Sequence, residues 1–120
     1  MTSARPQPGP RQKLGAHGER KAARVYEGAG YEVLARNWRC GDGELDLVLR
    51  GRDVLVFAEV KTRSSDRFGV PAAAVTLAKQ RRIRRLAQRF CAETGERAPV
   101  LRFDVVSVLR GQVDIIEGCF

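Results

Sequence analysis

The stretch from Gly43 to Arg63, GELDLVLRGRDVLVFAEVKTR, leaves a folding chain little choice. Two runs rich in Val, Leu and Phe flank the polar turn Arg50-Gly51-Arg52-Asp53, and each alternates with period two. That pattern predicts a β-hairpin. The first run carries Glu44 and Asp46, and the second ends in Glu59-Val60-Lys61. Residues two apart on a strand share a face, so Glu44 points with Asp46, and Glu59 with Lys61. A two-residue loop at Gly51-Arg52 pairs Arg50 with Asp53. Asp46 then sits opposite Phe57 and Glu44 opposite Glu59, with Asp46 and Glu59 as diagonal neighbours within roughly 7–8 Å. A four-residue loop keeps this parity, whereas a three-residue loop splits the acids between faces.

Three carboxylates and one lysine thus converge beside the most apolar strand in the chain. Like charges opposite each other destabilise a sheet, so the arrangement calls for a neutralising partner. A divalent cation is the economical one, because Mg²⁺ takes one or two carboxylates together with water and phosphate oxygens. The competing reading is a solvated face of a half-buried sheet. It fits Glu44 alone about as well. It fits Asp46, Glu59 and Lys61 together poorly, since charge beside so apolar a strand is costly.

A chain of 120 residues makes one domain with a real core. Its 22 Lys and Arg against 14 Asp and Glu leave a net charge of +8, which points to a polyanionic partner. Nucleic acid leads and an anionic membrane surface trails. No apolar run approaches a membrane span and no apolar signal core opens the chain, so a cytoplasmic protein is expected. Cys40, Cys91 and Cys119 are scattered, odd in number and without C-x-x-C spacing, which argues against a disulfide framework and a zinc site.

Residues 1–13 read as a disordered basic tail and 14–120 as the domain. Leu14 to about Glu27 predicts a helix with Leu14, Gly18, Ala22, Val25 and Ala29 on one face. Its small residues suit close packing, and Glu19 lies beside them. His17 is the only histidine and builds no catalytic constellation. Tyr31 to Arg39 predicts a strand ending at a packed Trp38. The basic loop Thr62 to Pro71 starts at the acid cluster. Ala74 to Glu93 predicts the second helix, with Ile83, Leu86, Ala87 and Phe90 inward. Arg81, Arg82, Arg84, Arg85 and Arg89 crowd its other faces with no acid in the same stretch to pair with, a density that favours phosphate contact. Lys79 falls in line with the apolar stripe and either snorkels outward or reaches the carboxylates. Val100 to Val108 and Val113 to Ile116 predict the last strands, and Arg102 and Asp104 read as a structural pair. The order α-β-β-β-α-β-β predicts a small α/β domain with a mixed sheet.

An acid on one strand and Glu59-Val60-Lys61 on the next resemble the PD-(D/E)xK nuclease core. A wider set of residues is similar to the YraN-type family of small bacterial proteins. These are Leu14-Gly15, Gly18-Glu19, Ala22, Ala35-Arg36-Asn37-Trp38-Arg39, Gly43-Glu44-Leu45-Asp46-Leu47, Phe57 to Arg63, Lys79 and Arg102 to Val106. The likeness covers roughly Leu14 to Val108, and Leu45 departs from the Ile common in the family. The resemblance implies a restriction-endonuclease-like fold, similar to archaeal Holliday-junction resolvases, and gives Glu19 the place of their helix glutamate. It implies a metal-dependent endonuclease acting on nucleic acid, DNA ahead of RNA, with branched DNA among the substrates. Asp46, Glu59 and Glu19 would hold Mg²⁺ or Mn²⁺, helped by the Val60 carbonyl, and Lys61 would act at the phosphate. Arg63, Arg67, Lys79, Arg81, Arg82, Arg85 and Arg89 would grip flanking phosphates. A four-way junction substrate would call for a homodimer. The alternative is a nucleic-acid-binding adaptor that keeps the nuclease fold with little or no catalysis. A basic module for an acidic protein partner is a third reading, and it leaves the cluster unexplained.

Overall fold

A computed structural model describes residues 10–63 and 75–120. The elements run α1 (Pro10–Gly28), β1 (Glu32–Cys40), β2 (Gly43–Gly51), β3 (Val54–Arg63), α2 (Leu77–Thr94), β4 (Val100–Leu109) and β5 (Gln112–Ile116). The predicted α/β order is the observed one. α1 begins at Pro10, inside the stretch whose composition suggested a tail. A proline in the first turn gives up no helical hydrogen bond.

The sheet follows chain order, β1-β2-β3-β4-β5. Only β3 and β4 are parallel. That pairing needs a crossover, and α2 supplies it. Thr76 caps the start of α2 by accepting the Lys79 N–H at 3.2 Å. Gly95 ends the helix at φ 78°, its N–H donating to the Cys91 carbonyl at 2.9 Å.

Among the described residues, each face of the sheet carries one helix. On one side Ala22, Ala23 and Tyr26 of α1 bury against Leu47, Leu49, Val56, Ala58, Val106 and Val108. On the other, Ile83, Leu86, Ala87 and Phe90 of α2 bury against Leu45, Val48, Leu55, Phe57, Phe103 and Val105. The alternation Leu55, Val56, Phe57, Ala58 feeds the two cores in turn, as strand geometry requires. Trp38 closes the α2 core edge-to-face on Phe90, ring centroids 5.4 Å apart.

The inward stripe of α1 differs from the expected one. Val25 is 44% exposed, while Tyr26 is 1% exposed. The buried line steps by four through Gly18, Ala22 and Tyr26. Tyr26 can go inside because its hydroxyl donates to Asp104 at 2.8 Å.

The hairpin register also differs. The loop is Arg52-Asp53, with Gly51 paired to Val54 and Val48, not Asp46, opposite Phe57. Asp53 takes the left-handed conformation, φ 59°, which an aspartate tolerates better than most residues. The shift is two residues, so face parity is unchanged.

Candidate metal and phosphate site

The β2–β3 ladder stops at Leu47↔Ala58 although both strands run on. Just beyond that point, the Asp46 carboxylate accepts the Val60 N–H at 2.8 Å, so a side chain takes the place of a backbone acceptor. Alternation breaks here as well. Leu45 and Leu47 lie two residues apart yet join opposite cores. On the neighbouring strand the paired segment Arg36–Trp38 places Asn37 beside this break, at φ 49°. Irregular strand positions of this kind re-aim side chains, and here the side chain is Asp46.

α1 approaches the same place. A Cβ on Gly18 would stand 1.9 Å from Thr62 Oγ1, so only glycine lets the helix lie this close to the end of β3. Glu19, the next residue, reaches the split between the strands. Carboxylate oxygens of Glu19, Glu44 and Asp46 lie within 4.8 Å of one another. Glu44 also meets Arg39 at 3.1 Å.

Glu59 is 9% exposed and faces two ammonium groups. Lys79 Nζ lies 2.7 Å and Lys61 Nζ 3.3 Å from its Oε1. A cavity of about 240 Å³ opens beside Glu59 and Lys79, lined by Glu44, Asp46 and Glu59 on the sheet side and Lys79, Arg82, Ile83 and Leu86 from α2.

The electrostatics follow from crowding. Burial, then the Glu59 charge, push the Asp46 carboxyl up to about 7 against the Val60 hydrogen bond, and Glu19 and Glu44 add to the rise. Burial raises Glu19 too, opposed by a hydrogen bond with Asn37 and reinforced by Glu44 and Glu59. Burial and a neighbouring Lys79 lower the Lys61 amine. Burial also works against the Lys79 ammonium, but its hydrogen bond to Glu59 prevails and the group is raised. A carboxyl that holds its proton near neutrality, as Asp46 does, lacks a cation, and hard oxygen donors this close suit Mg²⁺ or Mn²⁺.

The expected residues Glu19, Asp46, Glu59 and Lys61 therefore come together. Glu44, whose role the sequence left open, joins them; its i, i+2 spacing to Asp46 was the available signal. Lys79, grouped on sequence with phosphate contacts, sits on Glu59. Arg82 lines the cavity. Arg81 and Arg85 are exposed and have no acid partner among the described residues. Arg89 differs from expectation: it meets Glu93 at 3.0 Å one turn on and Asp42 at 3.4 Å. Arg84 stacks 4.7 Å over the Phe103 ring. Arg63 ends β3, and Arg67 lies outside the described residues.

Fold and site together define a class: a small basic α/β domain with an acid cluster and two lysines at a split between strands. Residues 18–108 match the family described as "Uncharacterised protein family UPF0102". A UPF0102 protein of Beutenbergia cavernae is 59% identical over 97 residues, covering 81% of this chain and 82% of that protein. One from Nocardia farcinica is 55% identical over 117 residues, covering 93% and 92%. The chain belongs to the UPF0102 family. Among the described residues, no helix is long and apolar enough to cross a membrane.

Proposed function

We propose that this chain is a metal-dependent nucleic-acid phosphodiesterase of the endonuclease type, acting on DNA in preference to RNA. The observation that carries the reading is the cavity itself. Acids from two strands face lysine and arginine from a helix across a space of about 240 Å³. An array with acids on one wall and bases on the other suits a cation and a phosphate held side by side.

Asp46, Glu19 and Glu44 supply the hard oxygen donors, with Glu59 beside them. A bound Mg²⁺ or Mn²⁺ would supply Lewis acidity toward phosphoryl oxygens and lower the pKa of water. Asp46 keeps its orientation through the Val60 N–H. Glu59 holds Lys61 beside the acid cluster, where the amine can neutralise charge that develops on the phosphoryl oxygens. Arg82 adds a cation on the opposite wall, and Arg81 and Arg85 extend it along exposed α2. Such contacts position a nucleic-acid backbone without reading its sequence.

The test is a cleavage assay over duplex, single-stranded and branched DNA and over RNA, with Mg²⁺ or Mn²⁺. The wild-type chain is run beside Lys61→Ala and Asp46→Asn. Cleavage by wild type alone supports the reading. Salt-sensitive binding with no metal-dependent cleavage by any protein would favour the adaptor reading.

A further inference from the structure

Lys79 occupies an unusual place. It is the third residue after the Thr76 cap, in the first turn of α2, where the helix dipole disfavours a cation and no acid shares the turn. Its side chain is only partly exposed, yet its ammonium stands 2.7 Å from Glu59, closer than Lys61 does. Two ammonium groups on one carboxylate oxygen exceed what charge balance at Glu59 requires. Lys79 and Arg82, three residues apart on one helix face, form the basic wall of the cavity, opposite Glu44 and Asp46.

We infer that Lys79 is a displaceable counterion and a phosphate-positioning residue. It neutralises Glu59 before a divalent cation enters, then releases Glu59 to the cation and turns to the incoming phosphate beside Arg82. The inference rests on the metal-dependent reading above and adds an exchange of partners to it. The acid wall is silenced by an internal ammonium until metal arrives. Metal entry in turn frees a cation on the opposite wall, so metal and phosphate binding reinforce one another.

The charge exchange has a measurable sign. A cation that competes with the metal weakens metal binding, so its removal strengthens it. Mn²⁺ titration by calorimetry, with no nucleic acid present, should show Lys79→Met binding Mn²⁺ about fivefold more tightly than wild type. The same variant should bind fluorescein-labelled duplex DNA more weakly in Ca²⁺, and Lys79→Arg should restore DNA binding but not the tighter Mn²⁺ affinity. In the unaltered protein, saturating Mg²⁺ should move the Lys79 ¹³Cε resonance toward that of an exposed lysine. Equal or weaker Mn²⁺ binding by Lys79→Met, or an unmoved Lys79 resonance at saturating Mg²⁺, overturns the inference while leaving the metal site standing. Wild-type protein that takes up no Mn²⁺ removes the metal-dependent reading and this inference with it.

Discussion

Among the described residues, two carboxylate centres are built on opposite plans. Asp104 is fully buried, and every approach to it carries a donor. Arg102 grips it with two bonds of 2.9 Å, the Tyr26 hydroxyl donates at 2.8 Å, and the Gly118 N–H donates at 3.0 Å. Arg102 is fixed further by the Tyr31 hydroxyl at 3.1 Å. Hydrogen bonding to Asp104 raises the Arg102 guanidinium still further above its ordinary value. At the other centre, Glu19, Glu44, Asp46 and Glu59 crowd together. Two lysines are committed to Glu59, Arg39 to Glu44 and a single backbone donor to Asp46. A buried carboxylate with all its donors holds a fold together. A group of carboxylates short of cations stores repulsion that a ligand can relieve.

The largest effect should come from exchanging charge at both centres. Asp46→Asn or Glu59→Gln should lower metal-dependent cleavage by at least about 100-fold, with the folded state kept, as read by assay beside urea unfolding. If either variant cuts at the wild-type rate, the crowded centre is not catalytic. Asp104→Ala should do the reverse. It strips Arg102 and Tyr26 of their acceptor at once and should cost about 3–5 kcal/mol of stability in urea. A cost within the error of the measurement would erase the contrast.

Gly18→Ala probes how the crowded centre is assembled. Its Cβ would collide with Thr62 Oγ1, an oxygen that is buried without a hydrogen-bond partner among the described residues. The expected cost is about 1–3 kcal/mol, with weaker Mn²⁺ binding because Glu19 moves with the helix. Adding Thr62→Ala removes the clashing oxygen and should recover most of the loss. A Gly18→Ala protein as stable as wild type would mean that the helix need not lie so close.

The smallest effect is a pH dependence. Asp46 titrates near 7 in the folded chain against an ordinary 3.8. Between those values the folded state binds more protons than the unfolded one, so stability falls as pH rises. The Asp46 contribution is fully present below about pH 3.8 and gone above about 7. Without metal, the melting temperature should drop by a few degrees between pH 5 and 7.5. Asp46→Asn should flatten that slope, and Mg²⁺ should reverse it by favouring the ionised form. A slope unchanged in Asp46→Asn would place the titration elsewhere.

Much of this was legible in the residues. Alternation through Val54 to Phe57 and Val100 to Val108, and the stripe Ile83, Leu86, Ala87, Phe90, announce strands and a helix because those periods are set by local backbone geometry. Glu59-Val60-Lys61 announces a shared face for the same reason, and the two side chains do meet. Gly18 and Glu19 stand out as a close-packing position next to an acid. Tyr26 was harder to see. A tyrosine enters a core only where its hydroxyl finds a partner, and Asp104 lies 78 residues away.

What the chain alone determined is therefore the periodic part: element order, face parity, and the pairing of Glu59 with Lys61. The fold decided which charges meet. Register moved by two residues because Arg52-Asp53 makes the turn, the alternation broke at Asp46, and Lys79 crossed from a helix to a strand carboxylate. The register follows from local turn chemistry, whereas the break at Asp46 and the reach of Lys79 depend on contacts between separate segments, and no local period encodes them.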